Sequence, residues 1–325
     1  MTMDDATAAL APPPPSLKAM RYQEANFYHI QDYALDGTID SAAASTTRKP
    51  GDFSPPYLDD AELASNRSFR TTMVNWAYQI LGLIKCQRET ADYALSYFDR
   101  FLNCKQGSVA LYDRPTFQLA FVSCLYCAVK LHETTAMPPD VFSKLSRGAY
   151  DEQEIQGMEK LILKSIDWRM NPPTALCFVR EILGLISLAD LPIEERLTVY
   201  DLAKAQIELV LSDYRFVSVK KSVLALAAVI NALESFQHLP SFGWALVRRA
   251  DMQDEDQEEI CNVQGALCEE FSSQPCCIAG YSFAGSSSGS SFQDIEMGTC
   301  EEGTCNSPRS VSAAEVRSEG PIYAV

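Results

Sequence analysis

The chain has 325 residues, 47% of them hydrophobic, and a formal net charge of −16. That length and apolar content suffice for two domains of ordinary size, each with a real core. Between residues 251 and 325 fourteen carboxylates face only Arg309 and Arg317, so twelve of the sixteen excess negative charges lie there. The remainder is only mildly acidic, which argues against a nucleic-acid partner.

The opening residues MTMDDATAAL are acidic and lack the apolar core of a secretory leader. No apolar run reaches membrane-spanning length, so no membrane partner is expected. There are eleven cysteines, and Cys86, Cys104, Cys124, Cys127 and Cys177 lie inside periodic apolar segments. Free thiols in a reducing compartment, nucleus and cytoplasm, are the reading.

In chain order, residues 1–56 form an N-terminal extension. Its first part ends in APPPPS and has polyproline character, residues 16–37 hold a short helical pattern with clustered aromatics, and 38–56 read as a linker. Helical periodicity then places helices over 66–85, 88–103, 114–132, 138–146 and 151–167. A second set follows over 173–187, 193–212, 217–236, 240–250 and 256–271. Prolines such as Pro115, Pro138, Pro173, Pro192 and Pro240 mark the starts of these spans. From 272 to 325 an acidic, Ser/Gly-rich tail has too little apolar surface to offset the entropy of ordering.

Two segments, 117–131 and 219–233, are apolar nearly all round, which suits the centre of a bundle. They stand about 102 residues apart, and at that offset Leu131 aligns with Leu233 and Pro138 with Pro240. The fold expected is all-α: two tandem five-helix repeats, 57–170 and 171–271, each wrapped around its third helix. Cys124 and Cys127 form a CxxC inside the first central segment. With no second CxxC and no histidine at ligand spacing, they read as core residues rather than a metal or redox site.

The first helix carries two apolar stripes. Phe69, Met73, Trp76 and Ile80 make one, and Val74, Ala77 and Leu81 make the other, headed by Arg70. The second helix carries an acid, Asp99, on the stripe of Leu95 and Leu102. Opposite charges on apolar faces of neighbouring helices can satisfy each other, and a half-broken buried pair costs about 3–5 kcal/mol. Arg70 and Asp99 are therefore candidates for a buried ion pair, against the alternatives that Asp99 pairs with Arg100 or that Arg70 points to solvent.

The ordered motifs resemble a cyclin box. Phe69-Arg70-Thr71-Thr72-Met73-Val74-Asn75-Trp76 resembles M-R-x-x-[LM]-V-[DN]-W, and Tyr97-Phe98-Asp99-Arg100-Phe101-Leu102 resembles Y-[LIF]-D-R-[FY]-L. Ala128 to Glu133, followed by Pro138-Pro139, is similar to A-x-K-x-x-E. Met158-Glu159 through Leu163, Ile166 and Trp168 is similar to the fifth-helix motif, and Pro173-Thr174 to the opening of the second repeat. The segment MRYQEANFYHIQDYAL also looks like one preceding the box in some algal cyclins, and the His-Glu-Thr after Lys130 leans toward the G1, D-like group.

The resemblance implies a regulatory subunit that binds and activates a cyclin-dependent Ser/Thr protein kinase in cell-cycle control. By similarity Arg70 and Asp99 are the structural ion pair, and Lys130 and Glu159 hold the kinase. Phe69, Met73 and Trp76 match an exposed patch that docks Arg-x-Leu-type substrate peptides. Here Thr72 and Asn75 depart from the commoner apolar residue and aspartate, and the alternative is that the three pack under residues 16–37. Ser54-Pro55 and Ser307-Pro308 are minimal proline-directed phosphosites. No destruction box is seen in residues 1–56, and no K-E-N or L-x-C-x-E. A transcription-related or phosphate-signalling cyclin and a DNA-contacting cyclin-fold transcription factor are the competing readings. An enzyme is disfavoured: His29, His132 and His238 lie in separate segments, with no nucleophile elbow or P-loop. No cofactor or metal is expected.

Overall fold

The computed structural model describes residues 15–30, 60–135, 137–234, 242–250 and 254–273. Helices in order are Pro15–Phe27 (α1), Asp60–Leu83 (α2), Thr90–Leu102 (α3), Arg114–His132 (α4), Pro139–Leu145 (α5) and Glu152–Ser165 (α6). Then come Ala175–Gly184 (α7), Ile193–Val210 (α8), Lys221–Glu234 (α9), Phe242–Arg249 (α10) and Asp254–Ser273 (α11). Short 3₁₀ turns at Ser108–Leu111 and Tyr214–Phe216 complete the described elements, among which there is no strand. Neither turn is long enough to imprint a period on the sequence. The expected linker 38–56 and the tail from 274 lie outside the described residues, while α1 ends at Phe27 and α2 begins at Asp60 rather than 66.

Local chemistry starts the helices where they begin. Asp113 caps α4 by accepting from the Thr116 N–H at 3.0 Å, with Pro115 in the first turn. Asp151 and Glu154 form a reciprocal capping box on α6. Thr174 caps α7 through the Cys177 N–H at 3.1 Å. Gly107 permits the turn after α3, since a Cβ there would collide with the Phe101 carbonyl.

Each bundle is built around its third helix. α4 packs on α3, α5 and α6, and α9 packs on α7, α8, α10 and α11. Every residue of α9 from Ser222 to Leu233 is buried. Phe98 meets Phe117 and Phe121 edge-on at 4.8 and 5.2 Å, filling the first core with aromatic contacts. Two cores result, one per bundle, but not two isolated ones: Leu211 and Val217 of the second bundle join the first core. α1 belongs to the second, with Leu17 buried against α7.

Candidate functional site

The ions on α2 and α3 meet in a bidentate fork. Arg70 Nε donates to Asp99 Oδ1 at 3.1 Å and Nη2 to Oδ2 at 2.8 Å, and both residues are only 3% exposed. The remaining Arg70 nitrogen, Nη1, donates to the Leu211 carbonyl at 3.0 Å. That third bond satisfies a carbonyl at the end of α8, so the pair ties the two bundles together as well as α2 to α3. Thr71 extends the seam by donating to the Ser212 carbonyl at 3.1 Å.

Lys130 and Glu159 form a second pair, on the surface. Lys130 Nζ lies 3.0 Å from Glu159 Oε1, with the lysine side chain 49% exposed and the glutamate side chain 12%. The bond to Glu159 raises the Lys130 pKa. Tyr126 lies below the ammonium, 5.5 Å from its ring centroid. A fixed carboxylate thus aims a half-exposed cation outward. The same elements also carry exposed apolar side chains: Leu131 next to Lys130 in α4, Leu161 on α6 and Trp168 just past α6. Phe27, at the end of α1, is also exposed and lies under the Arg169 guanidinium at 4.2 Å.

Behind this face, His132 stacks on Tyr93 with centroids 3.6 Å apart, and its Nε2 lies 2.7 Å from the Tyr97 hydroxyl. Tyr97 in turn donates to the Met170 carbonyl at 2.5 Å. Burial lowers the His132 pKa, so the ring is held neutral. Glu133 turns back to accept from the Gln87 N–H at 2.9 Å and from Thr90, which fixes the start of α3.

The expected exposed patch of Phe69, Met73 and Trp76 is corrected. Met73 is 0% and Trp76 4% exposed, and Phe69 is half-buried against Phe117 at 5.3 Å. Both apolar stripes of α2 are core because the helix lies between α3 and α4 on one side and the Tyr214–Phe216 turn on the other. What α2 offers solvent at this level is polar: Thr72, Asn75 and Gln79. Ile30, from the segment after α1, joins the same core, while α1 itself packs on α7. Cys124 and Cys127 are buried free thiols, both with pKa pushed up by burial. No group of His, Cys, Asp and Glu among the described residues could hold a metal. No described helix is long and apolar enough to cross a membrane. Ser54 and Ser307 lie outside the described residues.

The profile "Cyclin, N-terminal domain" matches residues 46–171, and "Cyclin, C-terminal domain" matches 173–273. The chain belongs to the cyclin family. Cyclins are regulatory subunits, not enzymes. The G1/S-specific cyclin-E1 of Gallus gallus is 33% identical over 110 residues, 34% of this chain and 26% of that protein. The G2/mitotic-specific cyclin-2 of Saccharomyces cerevisiae is 32% identical over 160 residues, 49% and 30% of the two chains. The G1/S-specific cyclin-D1 of Mus musculus is 25% identical over 167 residues, 51% and 54%. The chain thus covers about a quarter to a half of the length of these relatives. The viral cyclin of herpesvirus saimiri shares the fold, with a TM-score of 0.51 and 18% identity over 63% of this chain and 87% of that one.

Several site-shaping residues escape the sequence reading. Glu24 on α1, 7% exposed, accepts from the first turn of α9. Asp92 pairs with Lys221 at 3.3 Å and accepts from the Ala175 N–H, and Glu89 forks Arg180 across the bundle seam. A signal existed for Glu24. It follows Leu17 and Met20 at helical spacing, an acid on an apolar stripe as Asp99 is.

Proposed function

We propose that the protein binds and activates a cyclin-dependent protein kinase through the face formed by α4, α6 and the turn after α6. The observation that carries this is the Lys130–Glu159 pair at 3.0 Å, a preset polar contact between α4 and α6, elements that with the turn after α6 also bear exposed Leu131, Leu161 and Trp168. Such a surface, apolar with one oriented charge, is what a protein partner buries. An inactive kinase has its αC helix and activation loop misplaced, so that the Lys–Glu pair and metal-binding Asp of its phosphoryl-transfer site are not assembled. A rigid bundle that binds the assembled arrangement better shifts the kinase toward it. No bond is made or broken by the cyclin itself. The contact area in such a complex is on the order of 2,000 Å² or more. We place this activity in cell-cycle control, in the nucleus and cytoplasm, in keeping with relatives named for G1/S and mitotic roles.

The test is the exchange K130E/E159K, which re-forms the internal pair with reversed polarity. Loss of kinase co-purification and of associated histone phosphorylation, with an unchanged melting temperature, supports the reading. Retention of both would overturn it.

A further inference from the structure

Arg100 neighbours Asp99 in sequence but takes no part in its ion pair. It is 8% exposed, and among the described residues no carboxylate pairs with it. A buried guanidinium without a counter-ion is costly, and its donors must go somewhere. They go to two carbonyls: Nη1 donates to Arg169 at 2.8 Å and Nη2 to Ile166 at 3.1 Å.

Those carbonyls bracket an unusual turn. Asp167 has φ 55° and Trp168 φ 59°, two successive non-glycine residues in the left-handed region. A tryptophan rarely adopts that conformation, and it persists only where the surroundings over-determine it. The backbone bonds across the turn are Trp168 N–H to Leu163 at 2.9 Å and Arg169 N–H to Ile166 at 3.1 Å. Just past α3, Cys104 adds a contact to the Ser165 carbonyl at 3.2 Å. The outcome is that Trp168, just past α6, is 67% exposed, with nothing among the described residues covering most of it. Arg100 also lies over the Tyr28 ring at 5.0 Å, and Arg169 over Phe27, so the same clamp seats the end of α1 at this face.

We propose that Arg100 is a positioning residue for the partner face: its fork holds the Asp167–Trp168 turn so that the indole stands out as a rigid apolar anchor for the kinase. The inference rests on the kinase-binding reading above and adds to it the device that presets the anchor. A preset tryptophan loses little freedom on binding, which is how a single side chain comes to dominate an interface.

The full chain and its variants W168A, R100Q, R100K and R100Q/W168A are titrated against a panel of purified monomeric cyclin-dependent kinases. Melting temperature and tryptic cleavage after Arg169 are followed in parallel. The expectation is that W168A and R100Q each weaken binding about tenfold or more, the hot-spot range. R100Q/W168A should be no weaker than W168A alone, because Arg100 acts through the indole. Cleavage after Arg169 should rise in R100Q and not in W168A. R100K, whose ammonium cannot fork both carbonyls, should fall between wild type and R100Q, and it decides the matter if R100Q does not fold. Multiplying losses in the double variant, or R100K indistinguishable from wild type in both affinity and cleavage, would overturn the proposal. If the wild-type chain binds none of the kinases, the functional reading fails and the anchor role with it. Accelerated cleavage in R100Q would then mark the clamp as an architectural feature only.

Discussion

Glu24 and Ser222 stand 198 residues apart, yet the Glu24 carboxylate accepts from both the Ser222 N–H at 3.0 Å and the Ser222 hydroxyl at 2.5 Å. The contact places a carboxylate at the N-terminus of the buried central helix α9, where unsatisfied N–H groups and the helix dipole favour it. It also fastens α1 to the second bundle beside Leu17.

Removing that cap should loosen α1. E24A is expected to cost about 1–3 kcal/mol, the range for a buried donor left without its partner, measured by urea unfolding. Burial pushes the Glu24 pKa above the ordinary 4.5, and the bonds from Ser222 and the charge of Lys221 only partly oppose it. The folded chain then holds a proton that the unfolded chain releases as pH rises above 4.5, so this residue's contribution to stability falls with rising pH. The wild-type minus E24Q stability difference should decline from pH 4.5 upward; a difference that grows with pH would contradict the assignment.

The Arg70–Asp99 pair should show strong coupling. D99A is expected to cost about 3–5 kcal/mol, because it leaves a guanidinium buried without its counter-ion. R70M/D99L should be more stable than R70M or D99L alone, since removing both ions removes the burial penalty. Denaturant melts of the four chains measure this, and additive losses would show that the fork contributes no pairwise energy.

On the partner face, single reversals should behave differently from the exchange. K130E sets two carboxylates against each other, with Glu159 largely enclosed, and should weaken kinase binding by about tenfold or more, as truncated interface charge pairs do. Its melting temperature should drop slightly, because the lysine is half-exposed and such pairs contribute about 1 kcal/mol or less. A melting temperature restored in K130E/E159K without restored binding separates the internal pair from the contact with the partner.

Thiol chemistry distinguishes core from surface. Cys261 is exposed and should react with maleimide in the folded chain, whereas Cys124 and Cys127 should react only on unfolding. Mass spectrometry of the labelled peptides reads the outcome. Native-state labelling of the CxxC would contradict its place in the core of α4.

Most of the helical plan was legible because the first-order signals are local. Asp113-Arg114-Pro115 marks the start of α4, Asp151 with Glu154 that of α6 and Thr174 that of α7, and each cap works through residues two or three positions away. The Arg70–Asp99 fork was open to inference because each ion sits on an apolar stripe, which leaves few places for its charge to go. The exposed patch was not. Phe69, Met73 and Trp76 show the same spacing whether their side of α2 faces water or the core of its own bundle, and only the packing of α2 on α3 and α4, with Phe69 against Phe117, decides.

By itself, then, the sequence determined that this chain is two helical repeats, where most helices begin, and which ions need partners, because these depend on short-range periodicity and capping. Only the tertiary structure decided which apolar stripes are covered, that Arg70 also reaches Leu211, that Glu24 caps α9, and that Arg100 braces the turn bearing Trp168. Those contacts join residues tens to hundreds of positions apart, and no local pattern encodes a distance that only the packed bundles create.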